Sequence, residues 1–67
     1  MSAITTLSQR EQQVLDRVAA GQRSKTIAHE LGLSLKTVEK YRGRMVRKLG
    51  ASNSAEAVRL AMEAAHG

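Results

Sequence analysis

The side chains able to do chemistry in this 67-residue chain are gathered in one stretch, Leu35 to Leu49, which reads LKTVEKYRGRMVRKL. It holds six cations, Lys36, Lys40, Arg42, Arg44, Arg47 and Lys48, against one acid, Glu39. That net of +5 equals the formal charge of the whole chain, so the remaining residues balance to zero. Positive charge concentrated in a single segment is the footprint of a protein that binds a polyanion. The chemistry open to such a set is recognition: cations neutralise phosphates, and the groups that reach base edges read sequence. Lys40 can donate to guanine O6 and N7; Glu39 can accept from cytosine N4 and is repelled by phosphate. Lys36, Arg44 and Arg47 suit phosphates, which fix register without reading sequence.

Other chemistries lack their parts. There is no cysteine, and the two histidines, His29 and His66, are far apart. His29-Glu30 begins like a zinc-protease motif, but position 33 is leucine, so the second ligand is missing. No glycine-rich phosphate loop is present, and Ser8 reads as a helix cap, not a nucleophile. The expectation is a non-enzyme with no catalytic residues, no metal and no cofactor. A membrane partner is not expected either. The basic helix has no Trp or Phe anchor, the longest apolar run is too short to span a bilayer, and the N-terminus has no signal-peptide pattern. A cytoplasmic location fits.

For the cations to act together they must share a face. At about 100° per residue, Val38, Met45 and Leu49 fall on one side of the stretch with Tyr41 close by. Lys36, Lys40, Gly43 and Arg47 fall opposite, flanked by Arg44 and Glu39. Arg42 lies nearer the apolar side, where its stem would pack and its guanidinium snorkel outward. Glu39 also stands three residues from Lys36 and from Arg42, so an intrahelical pair in the free protein competes with base contact. Gly43 costs about 1 kcal/mol in a helix interior relative to alanine. Close approach of backbone to the groove and a tolerated defect both fit it.

The rest of the chain reads as support for that helix. With one aromatic, no proline and no β-branched run longer than Ile4-Thr5-Thr6, an all-α, compact four-helix domain is expected, with helices at about 8–20, 24–31, 35–49 and 53–65. Residues 1–6 read as a flexible tail or linker end, and 7–67 as the domain. Ser8-Gln9-Arg10-Glu11 fits a capping box. Val14, Leu15 and Val18 form the inner stripe of the first helix, with Arg10, Gln13 and Arg17 facing out; Gly21 ends it. Ser24 is the expected cap of the second helix, in which Ile27, Ala28 and Leu31 point inward. Lys25 in its first turn opposes the helix dipole, and a cation beside exposed amides points to a phosphate contact. Gly32-Leu33-Ser34 is a short glycine-containing turn of the helix-turn-helix kind, in which the second helix reads DNA. Gly50 closes the third helix, and Asn53-Ser54-Ala55-Glu56 is a second capping-box candidate. In the fourth helix Ala57, Val58, Ala61 and Met62 share a face while Leu60 and Ala64 point elsewhere. Simple packing and a second, intermolecular surface are both open.

The pattern resembles the LuxR/FixJ-type (GerE-type) DNA-binding domain, the C-terminal output module of many bacterial transcription regulators, including response regulators. The resemblance runs from about residue 7 to 65. It rests on Leu7-Ser8-Gln9-Arg10-Glu11 with Val14-Leu15, then Gly21, Ser24-Lys25-Thr26-Ile27-Ala28, Leu31-Gly32-Leu33-Ser34, Lys36-Thr37-Val38-Glu39, Arg47-Lys48-Leu49-Gly50 and Glu56-Ala57-Val58. It implies double-stranded DNA binding as a homodimer, with the fourth helix, through Val58, Ala61 and Met62, as the dimer contact. Positions matching Glu39, Lys40 and Gly43 would face bases. Those matching Lys25, Lys36, Thr37 and Arg47 or Lys48 would contact phosphates. Departures are Tyr41, where histidine is usual, Ser24, where asparagine is common, Ser54, where a basic residue is common, and Gly43, where a longer side chain often reads a base. The rival is a sigma-factor region-4-like helix-turn-helix that works with RNA polymerase and shares the Ile-Ala…Leu-Gly turn. The long helix after Gly50 favours the LuxR type. With no sensor or phosphoacceptor domain in the sequence, a fragment and a stand-alone regulator are both expected forms.

Overall fold

Each helix starts and stops where the local sequence satisfies its orphan backbone groups. The computed structural model describes residues 7–66, so the expected tail at 1–6 lies outside the described residues. Helix α1 spans Gln9–Ala19, α2 Ser24–Leu31, α3 Leu35–Lys48 and α4 Ser54–His66, and no strand occurs among the described residues. The capping box at the head of α1 forms in full: the Glu11 amide donates to Ser8 Oγ (3.1 Å) and the Ser8 amide to Glu11 Oε1 (2.9 Å). At the head of α3 the Thr37 amide donates to Ser34 Oγ at 3.1 Å. At α4 the Glu56 amide donates to Asn53 Oδ1 at 2.8 Å. The turn between α2 and α3 depends on Gly32, whose φ of +69° lets the Leu33 amide reach back to the Ala28 carbonyl (2.9 Å).

The cap expected from Ser24 does not form. Arg23 occupies the cap position of α2 without a side-chain bond, and Ser24 is the first residue inside the helix, buried. The reason is competition: its Oγ accepts a 2.7 Å hydrogen bond from Arg42 NH1 instead.

α1 and α3 each pack against all three other helices, whereas α2 and α4 do not meet. The core therefore lies along α1 and α3, and its buried apolar members are Val14, Leu15, Ile27, Ala28, Val38, Met45, Leu49 and Ala57. All eight sit on the stripes expected from helical spacing. Complete burial of side chains such as Ile27 or Met45 contributes about 1.5–3 kcal/mol each, much of what a domain this small has available. Two polar residues join them: Glu11 and Ser24 are buried as deeply as the apolar set.

Candidate nucleic-acid interface

Burial of Val38 and Met45 fixes the rotation of α3, and with it the direction of every other side chain on that helix. Lys36, Glu39, Lys40, Arg44 and Arg47 are exposed; Thr37 and Gly43 are half-buried. Among the described residues, no ion pair engages Lys36, Lys40, Arg44 or Arg47. The competing pair of Glu39 with Lys36 or Arg42 is likewise not formed among them. Lys25 is exposed at the first turn of α2. A Cβ built on Gly43 would meet only Arg47 NH1, at 3.9 Å, so nothing inside the domain requires glycine there.

Two of the six cations in the stretch turn away from this face. Arg42 was expected to snorkel outward. Its guanidinium instead runs along the domain, donating to Ser24 Oγ on α2 and from Nε to Ser54 Oγ on α4 at 3.2 Å. Lys48, expected at a phosphate, directs its ammonium to Glu11 Oε1 at 2.8 Å. Burial raises the Glu11 carboxyl pKa, but the Lys48 ammonium and the Ser8 amide together outweigh it and leave the group below the ordinary carboxylate value. The physical reason is common to both contacts. A long cation near the edge of an apolar stripe finds a buried oxygen on a neighbouring helix, and a charge-assisted bond in a dry setting is stronger than one in water.

The flanks of α3 differ. Beside the start of α1 lies a cleft of about 510 Å³ lined by Ser8, Gln9, Arg10, Gln13, Tyr41 and Arg44. On the other flank a cleft of about 430 Å³ is lined by Glu39, Arg42, Gly43, Val46 and Ser52 to Ser54. On α4, Ala57 is spent on the core and Val58 and Ala61 are half-buried against it, while Met62 is 57% exposed. Arg10 and the two-helix tie of Arg42 were missed by sequence reasoning. Outward spacing of Arg10 was legible, but its nearness to Arg44 depends on how α1 crosses α3.

No helix among the described residues is long and apolar enough to cross a membrane. Among them no cluster of His, Cys, Asp or Glu could hold a metal ion.

A four-helix fold that projects a cationic α3 from a short turn after α2 defines a helix-turn-helix domain of the DNA-binding kind. The chain belongs to the luxR family of bacterial regulatory proteins, whose model matches residues 5–61. It is 47% identical over 62 residues to the transcriptional regulatory protein TdiR of Thauera aromatica, covering 92% of this chain and 27% of TdiR. It is 48% identical over 59 residues to FixJ of Azorhizobium caulinodans (88% and 28%). It is 49% identical over 53 residues to UhpA of Escherichia coli (79% and 27%), so the chain spans little more than a quarter of these relatives' length.

Proposed function

We propose that α3 enters the major groove of double-stranded DNA and that two copies of the chain bind a two-fold-related pair of half-sites as a bacterial transcription regulator. Glu39 and Lys40 face base edges, with Gly43 between them allowing the helix backbone close to the groove floor. Lys25, Lys36, Thr37, Arg44 and Arg47 meet phosphates. Lys48 stays with Glu11, which leaves Arg47 as the phosphate ligand of that pair. The contact between copies uses the outer strip of α4, Val58, Ala61 and Met62. The carrying observation is the opposition on one helix between a fully buried Val38–Met45 stripe and a face of exposed cations with no ion pairs among the described residues.

Selection of bound sites from random duplexes tests the reading, because half-site sequence and spacing report readout and two-fold geometry together. On a selected site, Lys25, Lys36, Arg44 and Arg47 of two copies neutralise roughly eight phosphates, and log K falls with log salt at a slope of about −7. Lys40→Ala relaxes sequence preference, whereas Lys36→Ala weakens every duplex alike. A slope near zero overturns groove binding; equal losses from both variants on every sequence overturn the division of roles.

A further inference from the structure

A helix in the major groove meets DNA on both flanks as well as at its tip. The groove is about 12 Å wide and a helix with its side chains about 10–12 Å across, so a phosphate wall lies along each side of α3. The two clefts beside α3 face those walls, and their chemistry is opposite. The cleft toward Ser52 to Ser54 contains the Glu39 carboxylate, and its one guanidinium, Arg42, is held by Ser24 and Ser54. The cleft toward α1 has two guanidinium groups, Arg10 and Arg44, no acid among its lining residues, and uncharged donors in Ser8, Gln9, Gln13 and Tyr41. Glu11, the acid nearest in sequence, is buried and does not line the cleft; the Lys48 ammonium and the Ser8 amide already hold its carboxylate.

The donors of this cleft are also available. Among the described residues no hydrogen bond or ion pair engages Arg44 or the Tyr41 hydroxyl, and Arg10 donates only to Gln13 Oε1, at 3.1 Å. Two cations that share a polar cleft with no neutralising acid lack the counter-charge that a phosphodiester supplies. We infer that the α1–α3 cleft seats a phosphate of the DNA backbone, held by Arg10 and Arg44 with the Tyr41 hydroxyl. Arg10 on α1 thereby becomes a DNA-contacting residue. The inference rests on the groove-binding reading and deepens it: the footprint extends past the helix-turn-helix onto the first turn of α1. The α1 flank offers two guanidinium groups to one strand, while the cleft on the other flank presents a carboxylate and a guanidinium already held within the domain.

The test is a fluorescence-anisotropy titration of the chain with a labelled duplex between 50 and 200 mM salt. Arg10→Gln removes no core contact. It is expected to shift the slope of log K against log salt by about 1.8 toward zero, about 0.9 for each of the two copies, so its deficit against the parent shrinks about 12-fold across that range. Tyr41→Phe weakens binding with the slope unchanged. Arg59→Gln, which removes the same charge from α4, leaves the slope at the parent value. A steep parent slope with Arg10→Gln unchanged, or with Arg10→Gln and Arg59→Gln lowered equally, overturns the cleft and leaves groove binding standing. A flat parent slope overturns groove binding itself. Thermal melts by circular dichroism establish that each variant is folded, and Arg44→Gln reads the same seat if Arg10→Gln melts early.

Discussion

Glu11 and Glu56 occupy the same place in the same kind of motif, three residues beyond a polar cap at the head of a helix, yet the fold uses them differently. Glu11 is 2% exposed, reaches back to the amide of its own cap residue, Ser8, and takes the ammonium of Lys48, 37 residues later, at 2.8 Å. Glu56 reaches one residue further back, to the Ser52 amide at 2.6 Å, and its second partner is Arg59 on its own helix at 3.5 Å. Arg59 in turn is shared with Glu63 at 2.7 Å, entirely on the surface. One carboxylate joins the first helix to the end of the recognition helix; the other completes a local cap. Position in a motif therefore sets what a side chain does for its own helix, and the stripe it falls on decides whether it also ties helices together. Glu11 lies in register with Val14, Leu15 and Val18, the stripe that faces the core.

The comparison is most severely tested by Lys48→Met, which leaves the buried Glu11 carboxylate with the Ser8 amide but no cation. A loss of about 2 kcal/mol is expected, the low end for a buried charge deprived of its partner because Lys48 itself is partly exposed. For a domain this size that lowers the melting temperature by roughly 8–16 °C. An unchanged melt would show that Glu11 needs only its cap.

Acid comes next. The folded Glu11 pKa lies below its ordinary value of 4.5, so its contribution is fully present above that value and drains away as pH falls through the lowered one. Without Lys48, burial is no longer outweighed by the ammonium, and the same loss should begin at higher pH. Melts of the parent and Lys48→Met from pH 7 to 3 measure the offset; coincident profiles would break the link between the two residues.

Glu56→Gln should matter least. Its carboxyl is also held low, chiefly by the Ser52 amide, but in solvent, where an amide side chain can still accept that bond. Its melt should stay near the parent's and respond to salt less than the parent does. A loss matching that of Lys48→Met would erase the distinction between the two boxes.

How much of this was legible follows from the same residues. Helical spacing located all eight buried apolar side chains, since a stripe at three- and four-residue intervals has one place to go in a four-helix fold. It also placed the exposed cations of α3. What it did not supply was the partner that a buried polar group finds on another helix. Ser24 shares its stripe with Ile27, Ala28 and Leu31, and Arg42 shares one with Val38, Met45 and Leu49. Both could have been read as inward-facing from that register alone. That they face each other across 18 residues, or that Lys48 faces Glu11 across 37, depends on crossing angles that no local spacing encodes. The same limit hid the neighbourhood of Arg10 and Arg44.

The guanidinium of Arg42 has a mechanical consequence. α2 and α4 have no direct contact, and this one planar group bolts the first turn of each to the middle of α3. A tug on either outer helix is felt at a shared rivet, so the domain meets its target as a stiff wedge whose angle is already set, not as four rods that must be aligned on arrival.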